Sequence, residues 1–339
     1  MSSAFKFGVE LELLLSGRFE NEFSDLKQFA NHVASCYNRR TGRHDRKIHE
    51  DLDGDYKGED ADKEWSLTED CTVRADRADQ WPIEIVSPIL VFGTQEWRDD
   101  IRKLFTNIRS FCRIECNDSC GLHIHISPPG SSQWSIETLR SLCRSLIYFE
   151  NGFQVLLPQH RRANYFAASN RYDNPRLNGR SLGDIFEAID QCELGPDITD
   201  LMNDGGKKYF ACNFLNLWHG RSMTVEFRQA PGAPREQDCL PWVELIVAFV
   251  HAARDLGTPG QLRSFSQDVQ GLHRFITRNQ PSGMNRTILD SLFRGKTGAI
   301  HPRAVPPPTE GERWIIEAKE EEDGRKNMML KKMGRVLQR

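Results

Sequence analysis

The chain has 339 residues, 38% of them hydrophobic and 27% charged, which is ample length and apolar content for a large core and excludes a disordered chain. A formal net charge of -3 and a pI near 6.4 leave no broad basic surface, so small-molecule chemistry is expected rather than nucleic acid or anionic membrane as a partner. Nine cysteines without a paired framework, no basic-then-apolar leader and no run of roughly 20 apolar residues predict reduced thiols in a soluble, cytoplasmic protein.

Residues 5–15 alternate around Phe7, Val9, Leu11 and Leu13, the period of a strand, and residues 24–37 then space their apolar side chains as a helix behind a Ser24 cap. Residues 38–63 are dense in Arg, Asp, Gly, Lys and His, which predicts a long surface loop, either disordered or a lid. Trp65 to Val73 and Trp81 to Val86 read as strands, the second ended by Ser87-Pro88. Thr94 is placed to cap a helix carrying Trp97, Ile101, Leu104, Phe105 and Ile108. Cys112, Cys116 and Cys120 precede a His-x-His, but zinc sites use tighter pairs, so they read as structural or incidental thiols rather than a metal cluster. Gly121 to Ser127 reads as a strand closed by Pro128-Pro129-Gly130, and Ser135 caps a helix that runs to Phe153.

A helix is expected over 181–191. The runs 208–217 and 222–229, separated by His219-Gly220-Arg221, carry a hairpin signal. An apolar helix from Leu240 to Ala253 and further helices to about Phe293 follow, then Pro306-Pro307-Pro308 and a charged tail expected to be at most an exposed helix. The pattern predicts one domain over 1–301, with core motifs in 5–255, and an appended tail over 302–339. The fold class is α+β around a mainly antiparallel sheet.

Metal-competent residues occur as i, i+2 pairs inside strand-like segments, and strand alternation puts both members on one face. Glu10 and Glu12 oppose Val9, Leu11 and Leu13; His123 and His125 oppose Leu122, Ile124 and Ile126; Glu226 and Arg228 oppose Val225 and Phe227; Glu84 stands among Ile83, Ile85 and Val86. Each apolar set packs on a core, so the opposite face must be solvated, paired or metal-bound. Any one pair could be the wet side of a half-exposed strand, but four together build a polar floor. Carboxylates with an imidazole suit Mg²⁺ or Mn²⁺, and Arg228 beside a ligand is placed to reach a phosphate or carboxylate oxygen. Metal plus arginine points to phosphoryl chemistry.

The segments FGVELE (Phe7 to Glu12), WSLTEDC (Trp65 to Cys71), EIVSP (Glu84 to Pro88), CGLHIH (Cys120 to His125) and TVEFR (Thr224 to Arg228) resemble, in order and spacing over about 5–255, the amidoligase family of the glutamine synthetase and glutamate-cysteine ligase superfamily. The resemblance implies a curved, mainly antiparallel sheet as catalytic floor, with helices packed on its other face, binding ATP and two or three divalent cations. It implies that Glu10, His123 and Glu226 hold the cation bridging the phosphates, Glu12 and Glu84 the cation near the acceptor carboxylate, and that Arg228 stabilises the transferring phosphoryl group. Asp70 matches a family aspartate: it serves the second cation, orients the attacking amine, or is an exposed turn residue. His125 either contacts the phosphates or is hydrogen-bonded within the sheet. Arg161, Asn164 and Arg171 are candidates for the ATP phosphates or the substrate's acid group, or belong to a solvated polar loop; Lys207 and Asn213 are further candidates.

The implied reaction joins a small carboxylate, such as an amino acid or peptide, to an amine. Two other classes compete. A hydrolase or oxygenase of cupin type wants a glutamate a few residues after the second histidine, where Ser127-Pro128-Pro129 stand instead. A catalytically silent binding protein would have lost ligands such as Glu10, His123 or Glu226, all of which are present.

Overall fold

Alternation of polar residues or glycine with large apolar ones from Lys6 to Leu13 opens one long strand, β1 (Lys6–Gly17), and the sheet is built around it. The structure, a computed structural model, describes residues 4–18, 23–42, 44–58, 63–128, 130, 133–218 and 223–321. His219, Gly220 and Arg221 of the expected hairpin turn, and Pro129 of the expected strand stop, lie outside these residues.

In chain order β1 is followed by α1 (Leu26–Arg40), β2 (Ile48–Glu50), β3 (Trp65–Thr68), β4 (Trp81–Val86), β5 (Leu90–Val91), α2 (Glu96–Arg109), β6 (Cys112–Glu115), β7 (Gly121–Ile126) and α3 (Ile136–Leu156). Then come α4 (Leu182–Asp190), α5 (Gly195–Met202), β8 (Cys212–Asn213), α6 (Leu215–Trp218), β9 (Val225–Pro231), α7 (Glu236–Leu256), α8 (Pro259–Leu262), α9 (Val269–Arg278) and α10 (Arg286–Phe293). Among the described residues the sheet runs β2-β3-β4-β1-β7-β9-β8, with β5 and β6 also paired to β1. Every pairing is antiparallel except β2 with β3, so the fold is α+β as expected.

The apolar face carries Val9, Leu11, Leu13, Ile83, Ile85, Ile124 and Phe227, all buried in one continuous core. Helices α3 and α7, buried along most of their length, pack against each other, and α7 also packs on β7. Burying such side chains is worth about 1.5–3 kcal/mol each, which fixes the register: a one-residue slip would turn every apolar residue into the polar floor.

Four local expectations change. The α1 cap is Asp25, whose side chain accepts from the Gln28 amide, while Ser24 donates to Asp25. Thr94 does not cap α2, whose first flanking residue, Gln95, makes no side-chain cap. The strand expected over Trp65 to Val73 ends at Thr68, because Asp70 folds the chain into a turn by accepting from the Thr72 amide at 2.8 Å. The expected hairpin keeps its pairing, with Asn213 opposite Glu226, but α6 occupies part of the connection.

The charged stretch 38–63 is not a bare loop in its described part. Strand β2 adds to the sheet there, and buried His49 has both ring nitrogens engaged, Nε2 with Ser66 Oγ at 2.7 Å and Nδ1 with Glu64 at 3.0 Å. Tyr56 stacks on the imidazole with ring centroids 3.7 Å apart. A buried histidine held this way pins the segment to the sheet edge.

Candidate active site

The site occupies the polar face of β3, β4, β1, β7, β9 and β8, and the register sets its rows. One row runs Thr68–Glu84–Glu12, the next brings Glu10 beside His123, and the third runs His125–Glu226–Asn213. Cross-strand partners on one face stand about 5 Å apart, close enough for their side chains to converge on one ion. Gly8 lies opposite His125.

A bulge completes the floor. Between the pairs Leu122–Ala230 and Ile124–Phe227, Arg228 and Gln229 face the single residue His123. Bulges of this kind re-aim side chains and cluster beside active sites. The Arg228 guanidinium forms an ion pair with Glu226, and its Nε donates to the Phe166 carbonyl at 3.2 Å. Asn213 Nδ2 donates to the other Glu226 oxygen at 2.7 Å.

His123 Nδ1 lies 3.0 Å from Glu10 and 3.7 Å from Glu226, and its Nε2 lies 3.5 Å from Glu12. His125 Nε2 stands 3.0 Å from Glu10 and 3.8 Å from Glu226, yet its geometry to neither is that of a hydrogen bond. Glu12 is fixed by accepting from the Gly121 amide, and a Cβ at Gly121 would lie 3.1 Å from that carboxylate, so glycine allows the approach without pushing the carboxylate aside. Thr68 donates to Glu84 at 2.8 Å.

Five carboxylates converge here, and the environments of Glu84, Glu10, Glu226 and Asp70 drive the titrations of these four apart. Burial raises Glu84, and repulsion from Glu10, Asp70 and Glu12 adds to it, holding its carboxyl well above the usual range. Burial opposes ionisation of Glu10 and Glu226, but His125 and His123 at Glu10, and Arg228 and His125 at Glu226, outweigh it and hold both low. Burial disfavours the His125 imidazolium, but Glu10 and Glu226 raise it to about 9. Asp70 is lowered to about 2, since Lys319 and Thr72 outweigh its burial.

Three ligand sets follow from the geometry: Glu10, Glu84 and His123; Glu10, His125 and Glu226; and Glu12, Asp70 and Glu84, each with donor atoms within 4.8 Å of one another. Octahedral ligands at about 2.1 Å from Mg²⁺ stand roughly 3–4 Å apart, so the donor sets fit such a cation with small adjustment. The repulsion concentrated on Glu84 and the unsatisfied His125 Nε2 are what a bound cation relieves. His125 therefore stands in a ligand set together with Glu226, beyond the role expected for it.

A pH test follows. In metal-free protein His125 and Glu84 are both raised on folding, so the folded state binds more protons, and stability falls as pH rises through this range. Divalent cations compete with those protons. Saturating MgCl₂ is therefore expected to raise Tm more at pH 8 than at pH 6; an equal or larger shift at pH 6 would remove the floor as the binding site.

The cleft above the floor has a volume of about 700 Å³, within the range of cofactor sites, and Lys207, Lys208, Tyr209 and Asn216 are among the residues that line it. Lys207 and Asn213 line it. Arg161, Asn164 and Arg171 do not: Arg161 is buried beside the Gly121, Glu12 and His123 corner of the floor with Nη2 on the Arg228 carbonyl at 2.8 Å, Asn164 caps a 3₁₀ turn by accepting from the Phe166 amide, and Arg171 lies over the Tyr172 ring. That segment shapes the site through Phe166, whose carbonyl holds Arg228.

The cysteines are free thiols, and no ligand set among the described residues includes one. Also among those residues, no helix is long and apolar enough to cross a membrane.

Residues 3–250 match the family described as "Putative amidoligase enzyme". The chain belongs to this family. A comparison with curated proteins finds no match. The matched span contains Glu10, Glu12, Asp70, Glu84, His123, His125, Glu226 and Arg228, so the whole floor lies within the amidoligase portion.

One wall of the cleft comes from outside it. Residues 310–321 are helical, and Lys319 and Glu320 reach the cleft. Most of this helix is exposed as expected, but Ile316 and Lys319 are buried, and Lys319 Nζ lies 3.3 Å from Asp70 Oδ2. A single lysine in a tail of mixed charge carries no pattern that could have placed it there.

Proposed function

We propose that the chain is an ATP- and Mg²⁺-dependent ligase, or one using Mn²⁺, that joins a small carboxylic acid, amino acid or peptide to an amine through an acyl phosphate. The observation that carries this reading is the convergence of three cation-ligand sets and one arginine on a single sheet, under a cleft of about 700 Å³, in a chain of the amidoligase family. Glu10, His123, His125 and Glu226 would hold the cation at the phosphates, and Glu12 and Glu84 the one near the acceptor carboxylate, supplying charge neutralisation at both ends of the transfer.

Arg228, its guanidinium fixed by Glu226 and the Phe166 carbonyl, meets the transferring phosphoryl oxygens without having to be ordered first. The acid's carboxylate oxygen attacks the γ-phosphorus, the bond to ADP breaks, and an acyl phosphate remains. Asp70 orients the incoming amine. The ammonium gives up one proton to water, its nitrogen attacks the acyl carbon, and the bond to phosphate breaks, with the second proton leaving on the released phosphate. Lys207, exposed at the rim, offers positive charge toward the nucleotide's phosphates.

The test is ADP release with Mg²⁺ across a panel of amino acids, dicarboxylic acids and amines. ADP is expected only where an acid and an amine are both present and matched. A protein that neither binds nor hydrolyses ATP with any pair is not this ligase, and turnover of an ester or amide without ATP would make it a hydrolase.

A further inference from the structure

Lysine is among the side chains least often buried, because an ammonium loses its hydration on leaving water. Lys319 is nonetheless only 6% exposed, on a helix whose described residues are mostly solvent-facing, Trp314 71% exposed among them. Lys319 lines the cleft, and its nitrogen stops 3.3 Å from Asp70 Oδ2. Asp70 Oδ1 is already engaged by the Thr72 amide and hydroxyl, so Oδ2 is the oxygen turned to the newcomer. Asp70 in turn groups with Glu12 and Glu84, beside the position where the acyl group would be activated.

We propose that Lys319 is an internal occupant of the amine subsite, and that the amine this protein accepts is a primary ammonium on a flexible alkyl chain of lysine type. This rests on the ligase reading. The site as built holds such a group: Asp70 is its acidic anchor, in a cleft that the lysine side chain itself lines. The occupant comes from residues 310–321, outside the matched span of 3–250, so it is not part of the floor itself. A tethered side chain competes at an effective concentration in the millimolar range, which an external amine must overcome. When the occupied form dominates ten to one, the apparent affinity for that amine falls about tenfold.

The experiment compares full-length wild type, Lys319→Ala and Lys319→Arg by calorimetric titration without ATP. The probes are Nα-acetyl-lysine methylamide, n-butylamine, a lysine-containing peptide, MgCl₂ alone and, as control, Nα,Nε-diacetyl-lysine methylamide. Lys319→Ala is expected to bind the free-amine probes about tenfold more tightly than wild type, Lys319→Arg to resemble wild type, and the diacetyl control to bind none of them. The peptide and butylamine arms separate a polypeptide lysine from a free alkylamine. Unchanged or weaker amine binding in Lys319→Ala overturns the proposal. So does an increase seen only for MgCl₂, which would make Lys319 a counter-ion of the Glu12–Asp70–Glu84 set. Tighter amine binding with no ADP release from any acid would keep the subsite assignment and remove the ligase reading.

Discussion

Glu226→Gln is expected to lower ADP release at saturating ATP by about 10³-fold, the scale seen when a charged group that stabilises phosphoryl transfer is lost. Glu226 is the point where the arrangement meets: it pairs with Arg228, accepts from Asn213, and shares a ligand set with Glu10 and His125. Glutamine keeps the volume and one acceptor but removes the charge, so Arg228 is no longer held and the cation set loses an anionic oxygen. Asn213→Ala, which removes only a supporting hydrogen bond, should cost about 10–100-fold. Initial rates with the matched acid and amine, beside thermal melts of each variant, make the comparison. A Glu226→Gln protein that folds and keeps near wild-type kcat would take Glu226 out of the chemistry.

The second large effect is on stability. Glu244 of α7 is fully buried; it pairs with Arg98 of α2, whose Nε lies 2.7 Å away, and accepts from the Asn285 amide at 3.1 Å. Arg98 also donates to the Gly283 carbonyl at 2.8 Å and lies over the Trp97 ring, 4.3 Å from its centroid. Glu244→Ala leaves a buried guanidinium without its counter-charge, which costs about 3–5 kcal/mol. The Tm should fall by about 10 °C. The double variant Arg98→Met/Glu244→Leu should recover much of the loss, because an apolar pair of similar volume carries no uncompensated charge. A Glu244→Ala protein within about 1 kcal/mol of wild type would mean that water reaches the guanidinium.

Strand period made the floor legible. Glu10, Glu12, Glu84, His123, His125, Glu226 and Arg228 could be placed on one face because alternation leaves no freedom once Val9, Leu11, Ile85, Ile124 and Phe227 are buried. Long helices such as α3 and α7 were equally plain, since their apolar residues repeat over many turns. Segments whose structure is set by distant partners were not. His49 takes its place from Glu64, Ser66 and Tyr56, which no local pattern announces. Arg161 and Arg171 have the side chains of phosphate binders, but neither lines the cleft: one donates to the Arg228 carbonyl and the other lies over a tyrosine ring. Lys319 is the converse: it reaches the cleft from a segment whose composition reads as solvated.

The bulge at Arg228 and Gln229 also bears on how this strand can change over time. Because two residues there answer to one on β7, the chain switches parity in mid-strand: Glu226 and Arg228 serve the floor, while Ala230 returns to the core opposite Leu122. Loss of a single codon at this point would leave every remaining side chain chemically acceptable and yet turn Ala230 and Pro231 over to the wrong face. Substitutions along β9 can be sampled one at a time, whereas its length is locked, so variation in how long the chain is must be absorbed in the connections and not in the strand that carries Glu226.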